Sequence, residues 1–217
     1  MKKTIIANWK MNMDKKGVLS WFEEFQHLYT QIDFDKKSII IAPSFTHLEL
    51  VKSLIQKHAY KNISLAAQGA SEFEKGAYTS QISIPQIKDY CDYIIVGHSE
   101  TGIDIHKKIL ISSKAQEMGI TPIICFTNLS DVPTTLEPYE YVAWEDPNNI
   151  SNNGVYKPKD HNEIKEALSS YKSKIIYGGS VNETNISSLS EITNISGFLV
   201  GNASLNPQSF YEIMKLC

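Results

Sequence analysis

Ile94-Ile95-Val96-Gly97-His98-Ser99-Glu100 sets three apolar residues directly against a glycine, a histidine, a hydroxyl and an acid. A short apolar run that stops this abruptly reads as a buried strand whose C-terminal end opens into a polar site. In parallel α/β proteins, ligands bind at the C-terminal ends of strands. Four further apolar runs end on polar or glycine-rich residues of matching kind: Asn8-Trp9-Lys10, Glu145, Gly178-Gly179-Ser180 and Gly201-Asn202. The pattern therefore predicts five strand ends facing one pocket.

Outward from that stretch, apolar runs and helical periodicities alternate along the whole chain. Strands are expected at Lys3–Trp9, Ser38–Ala42, Ile63–Ala67, Tyr93–Gly97, Thr121–Phe126, Tyr139–Trp144, Lys174–Tyr177 and Gly197–Val200. Between them, Val18, Leu19, Phe22, Phe25, Leu28 and Tyr29 recur at helical spacing behind Asp14, a capping residue. Leu48 to Ile55, Pro85–Tyr90, Asp104–Met118 and Ile164 to Tyr171 make further helices. Asn182 is expected to cap a helix carrying Ile186 and Leu189, and Asn206-Pro207 opens the last one. Asn128–Pro138 holds two prolines and little pattern, so the fifth unit is short. Two long polar stretches without periodicity, 68–83 and 146–157, read as functional loops.

Eight such units, with no linker and no shift in composition, give an α/β fold: a single-domain (β/α)8 barrel over residues 1–217, compact, with a shortened fifth unit. A doubly wound open sheet is the alternative. It would carry a glycine-rich turn after the first strand, and Trp9-Lys10-Met11 is not one.

The net charge of -3 is too small, and of the wrong sign, for general nucleic-acid binding. No apolar run approaches the length of a membrane span. Lys2 and Lys3 precede only Thr4 to Ala7, short of a secretory signal's apolar core, and the three cysteines lack metal or redox spacing. A cytoplasmic protein is expected. All 21 basic residues are lysine, so no arginine clamp is available, and 14 asparagines accompany them as a compositional bias.

Within the expected pocket, Lys10 is a fixed cation for an anionic substrate, with Asn8 as a hydrogen-bond donor beside it. His98 can donate a hydrogen bond to a carbonyl and stabilise an enolate. Glu145 follows a buried run, and burial raises a carboxylate's pKa and strengthens it as a base. Glu100 reads equally well as a helix-start acid. Gly178-Gly179-Ser180-Val181-Asn182 and Gly201-Asn202-Ala203-Ser204 offer backbone N–H groups to phosphate oxygens. Together these residues describe a pocket that moves a proton on a small phosphate ester.

The segments Asn8-Trp9-Lys10-Met11-Asn12, Val96 to Glu100, Tyr177 to Asn182 and Gly197 to Leu205 resemble, in order, the motifs of the triosephosphate isomerase family, and Gly76-Ala77-Tyr78-Thr79 resembles its third-loop motif. The resemblance covers essentially the whole chain; the length is similar to the compact versions of the family. It implies interconversion of dihydroxyacetone phosphate and glyceraldehyde 3-phosphate without a cofactor. It further implies Glu145 as the base, His98 as the electrophile, Lys10 and Asn8 as substrate-binding groups, Glu100 as a supporting acid, and Ser180, Gly179, Gly201 and Asn202 as phosphate-loop residues. A homodimer or higher oligomer joined through the 68–83 loop is implied as well.

Three positions depart from the family pattern: Ile150-Ser151-Asn152-Asn153 in the lid, Thr101-Gly102 after Ser-Glu, and Asn202 where glycine is usual. Ser151 thus stands where a glycine N–H contacts phosphate, which predicts a weaker hold on phosphate. Another phosphate-binding barrel enzyme would use a Schiff-base lysine or metal-ligating histidines, and Lys10 and His98 are the sole strand-end residues of those kinds. A drifted, non-catalytic relative would be expected to have lost Glu145 or His98.

Overall fold

The computed structural model describes residues 2–30, 37–132, 139–146, 149, 159–169, 171 and 175–217. Eight parallel strands close into a barrel in strict sequence order. They are β1 (Lys3–Asn8), β2 (Lys37–Ala42), β3 (Ile63–Ala67), β4 (Tyr93–Val96), β5 (Thr121–Phe126), β6 (Tyr141–Trp144), β7 (Ile175–Tyr177) and β8 (Ile195–Val200). The helices are α1 (Lys15–Tyr29), α2 (Leu48–Lys57), α3 (Ile84–Ile87), α4 (Ile105–Glu117), α5 (His161–Leu168), α6 (Ile186–Ser190) and α7 (Pro207–Leu216). Among the described residues, the fifth unit holds only a 3-10 turn, Leu129–Asp131. No helix among the described residues is long and apolar enough to cross a membrane.

The strands read as unbroken apolar runs because both their faces are buried. Ile6, Ile40, Ala66, Ile95, Ile123, Cys125, Ala143, Ile176 and Leu199 fill the barrel interior. Their neighbours along the strands, such as Ile5, Ile39, Ile41, Ile94 and Val96, pack outward beneath the helices. Period-two alternation thus distributes each strand between two cores. The ring closes where β8 meets β1, with Gly197 opposite Thr4. A Cβ at residue 197 would fall 2.1 Å from the Thr4 carbonyl oxygen, so only glycine permits this seam.

Local signals explain the helix boundaries. Asp14 accepts a hydrogen bond from the Gly17 N–H, and Asn206 accepts one from Ser209 ahead of Pro207. Asn182, in contrast, is not the cap of α6. Its side chain accepts from the Thr184 N–H at 2.8 Å and closes a turn, and the helix starts later, behind Asn185. β6 begins at Tyr141 rather than Tyr139, and β8 extends back to Ile195.

The first strand end is anchored by aromatic packing. Trp9 meets Trp21 edge-on at 5.1 Å, and Trp21 stacks on Phe25 at 4.6 Å. Burying such rings contributes roughly 1.5–3 kcal/mol each. Trp21 also donates its indole N–H to the Ser204 carbonyl at 3.1 Å, which ties α1 to the segment after β8. The residue after Trp9 is Lys10, so this cluster fixes where that lysine begins.

Candidate active site

Lys10 leaves β1 with φ +53, a left-handed backbone that costs a non-glycine residue of order 1–3 kcal/mol unless its surroundings impose it. They do so here. The Lys10 N–H donates to Asn8 Oδ1 at 3.1 Å, and Gln68 donates from Nε2 to the Lys10 carbonyl at 2.8 Å and to Ala42 at 2.9 Å. The bend directs the ammonium over the barrel mouth, where Nζ lies 2.6 Å from Glu100 Oε1.

β4 ends at Gly97, whose φ is +70. A Cβ there would meet the Lys108 side chain at 2.2 Å; that lysine crosses the glycine and donates to the Cys125 carbonyl at 2.8 Å. Beyond the bend, Thr101 donates both its amide and its hydroxyl to the His98 carbonyl at 2.8 Å, closing a tight turn. His98 is buried inside this turn. Its Nδ1 accepts from the Glu100 N–H at 3.3 Å, while the Glu100 carboxylate is 3.7 Å away, beyond hydrogen-bond range. A ring nitrogen that accepts carries no proton, so the ring's N–H is on Nε2. That N–H points at Glu145 Oε1, 2.9 Å away.

Glu145 extends the sheet one residue past β6, through its N–H to the Phe126 carbonyl at 2.8 Å. Its carboxylate is buried and takes three donors: His98 Nε2 and the Ser99 hydroxyl at Oε1, and the Ser99 N–H at Oε2, 3.0 Å away. Burial pushes this carboxyl up, but the hydrogen bond from His98, followed by the two from Ser99, outweighs it and holds Glu145 below the usual glutamate range. The hydrogen bonds act whether or not the ring is charged. The expectation of a raised carboxyl is therefore reversed in this arrangement. Beneath it lies the Cys125 thiol, which burial and then the Glu145 charge keep protonated.

The opposite wall is built from the ends of β7 and β8. Asn8, Lys10, His98, Glu145, Gly178, Ser180, Val181, Leu199 and Gly201 line one cavity. Ser180 has φ +45, and its carbonyl accepts from Asn185 Nδ2 at 3.0 Å. Its hydroxyl reaches the Asn149 carbonyl at 2.6 Å. Gly179 and Asn202 flank the lining residues Gly178 and Gly201 instead of lining the cavity themselves. Glu100 stands behind Lys10 rather than in the cavity wall. Ser151 lies outside the described residues. Sequence reasoning did not single out Ser99, Cys125 or Lys108. Ser99 was legible in principle, as the hydroxyl between His98 and Glu100.

The arrangement offers a buried carboxylate, an imidazole N–H and a lysine cation around one small polar hollow, with glycine-rich strand ends opposite. Ser99→Ala removes a donor that favours the ionised carboxylate, so it should raise the Glu145 pKa. A carboxyl-carbon NMR titration should show the Glu145 transition below the usual glutamate range in the parent and at higher pH in the variant. An unmoved transition in the variant would show that Ser99 does not tune this group.

A family model described as triosephosphate isomerase matches residues 3–217. The chain is 35% identical over 231 residues to a protein named triosephosphate isomerase from Wolbachia sp. subsp. Brugia malayi, covering 97% of this chain and 96% of that one. It is 32% identical over 252 residues to one from Aquifex aeolicus, and 34% over 254 to one from Dictyoglomus thermophilum, each with 99% of both chains covered.

Proposed function

Because the chain belongs to the triosephosphate isomerase family, and so interconverts dihydroxyacetone phosphate and glyceraldehyde 3-phosphate, we propose that Glu145 is the base of that reaction, His98 its electrophile and Lys10 its fixed cation. The observation that carries the assignment is the shared hydrogen bond between His98 Nε2 and Glu145 Oε1 at 2.9 Å. It puts the two groups in direct contact in one cavity wall, so a single substrate entering there can reach both.

The same bond suggests how the base is activated. Without substrate, the single His98 N–H is spent on Glu145. A bound carbonyl oxygen competes for that N–H and frees Oε1. Losing a donor lets burial act on the carboxyl with less opposition, so its basicity rises as the substrate arrives. Glu145 then takes a proton from the hydroxyl-bearing carbon beside the carbonyl and returns it to the former carbonyl carbon, while the proton of that hydroxyl passes to the former carbonyl oxygen. His98 Nε2–H and the Lys10 ammonium stabilise the oxyanion of the intermediate. Asn8, held against the Lys10 amide, supports that cation, and Glu100 orients it. Ser180, Gly179, Gly201, Asn202 and Ser151 are assigned to the phosphate, with N–H groups as donors. No metal or organic cofactor is assigned. The decisive experiment is conversion of dihydroxyacetone phosphate by the parent and by Glu145→Gln.

The finer assignments extend to assembly and compartment. The 68–83 loop carries Phe73 stacked on Tyr78 at 4.0 Å, both partly exposed, and Met11 projects beside Lys10 with 96% of its surface in solvent. Apolar side chains so placed support a homodimer or higher oligomer joined through this loop. Sedimentation should give at least twice the chain mass at micromolar concentration; a monomer there rejects the assembly. A glycolytic role supports the cytoplasm, and cell fractionation that follows the activity checks it. No membrane or nucleic-acid partner is assigned.

A further inference from the structure

Glu145 is flanked by Trp144 and Asp146, and one lysine holds both. Lys159 Nζ lies 2.7 Å from Asp146 Oδ2 and 5.5 Å from the centroid of the Trp144 ring. The ion pair is largely withdrawn from solvent, with side-chain exposures of 8% for Asp146 and 22% for Lys159. Lys159 is itself fixed, because the next residue, Asp160, caps α5 by accepting from the Asn162 N–H at 2.8 Å. Asp146 faces β7 as well. Burial, and then the Asp146 charge, hold the Tyr177 phenol above its ordinary value. The Asp146 carbonyl accepts from the Asn149 N–H at 2.9 Å, and the Asn149 carbonyl accepts from Ser180.

We infer that Lys159 is a positioning residue for the base: by gripping the residues on either side of Glu145 and tying them to the start of α5, it fixes where that carboxylate stands. The inference rests on the reading of Glu145 as the base. Its physical warrant is the sensitivity of proton transfer to placement, where a shift of about 1 Å costs on the order of 10²-fold. A cation–π contact and a partly buried ion pair act on adjacent backbone positions here, so the intervening residue has little freedom to drift. Sequence alone does not reveal the pair, since thirteen positions separate its members.

The test is steady-state kinetics on the full chain with dihydroxyacetone phosphate. Lys159→Met keeps the aliphatic stem on Trp144 and removes the charge. It should lower kcat about tenfold, a fraction of the full misplacement cost, and leave KM within about twofold, because the proposed phosphate donors other than Ser151 lie on the loops after β7 and β8. Lys159→Arg keeps a cation for both contacts and should recover kcat to within about threefold of the parent. If circular dichroism shows Lys159→Met unfolded, the isosteric Asp146→Asn gives the reading, with kcat lowered about threefold or more and KM unchanged. A folded variant with kcat within about twofold of the parent, or with KM moving as far as kcat, overturns the inference. Glu145→Gln is run alongside. Full activity in that variant removes the base assignment itself. An inactive Glu145→Gln beside unchanged Lys159 and Asp146 variants removes only the brace.

Discussion

Glu145→Gln is expected to lower kcat at least about 10²-fold, the lower bound for loss of a positioned general base. The substitution preserves size, so the cavity keeps its shape. It alters chemistry in two ways. The amide has no basic oxygen to take a proton, and its NH2 group presents donors where His98 Nε2 and Ser99 already donate. The effect should fall on kcat rather than KM, because most of the groups assigned to the phosphate lie on the β7 and β8 ends, where Ser180 and Gly201 line the cavity opposite Glu145. A coupled assay measures it directly. Retention of a tenth or more of the parent's turnover would mean that another group takes the proton.

Lys10→Met should damage kcat and KM together, with kcat down by about 10²–10³-fold, as for removal of one preorganised donor from a transition-state site. In the role proposed for it, the cation serves both the bound anion and the oxyanion that develops from it, so both constants are expected to move. Stability should change little. The partner carboxylate of Glu100 has 56% of its side chain in solvent, and an ion pair that exposed contributes about 0–1 kcal/mol. A thermal melt near the parent's, beside a collapsed rate, separates the two effects. If the melt falls and the rate survives, Lys10 is holding the β1 bend and not the substrate.

Most of the barrel can be read from the chain because its strands are buried on both faces, and double burial writes itself as unbroken apolar runs. β3 and β5 coincide with the runs expected, Ile63–Ala67 and Thr121–Phe126. Caps were legible where the capping side chain had one use, as at Asp14 and Asn206. Asn182 had two, and the turn took it. The site followed similar logic. Strand ends named Lys10, His98 and Glu145, and each lines the cavity. The electrostatics of Glu145 were misread because burial is local to a sequence, whereas its donors come from His98 and Ser99, 46 positions away in the case of Ser99. The link between Asp146 and Lys159 escaped for the same reason. The altered stretch at 150–153, including Ser151, lies outside the described residues, apart from the neighbouring Asn149.

The Thr4–Gly197 seam makes the last strand a condition for the first. During synthesis, β1 emerges early and has one paired edge once β2 arrives, but its other edge waits for residues nearly two hundred positions later. Joining such distant segments is slow, and an unpaired edge is a template for other chains. Nascent or truncated chains that stop short of β8 should therefore be the aggregation-prone species of this protein.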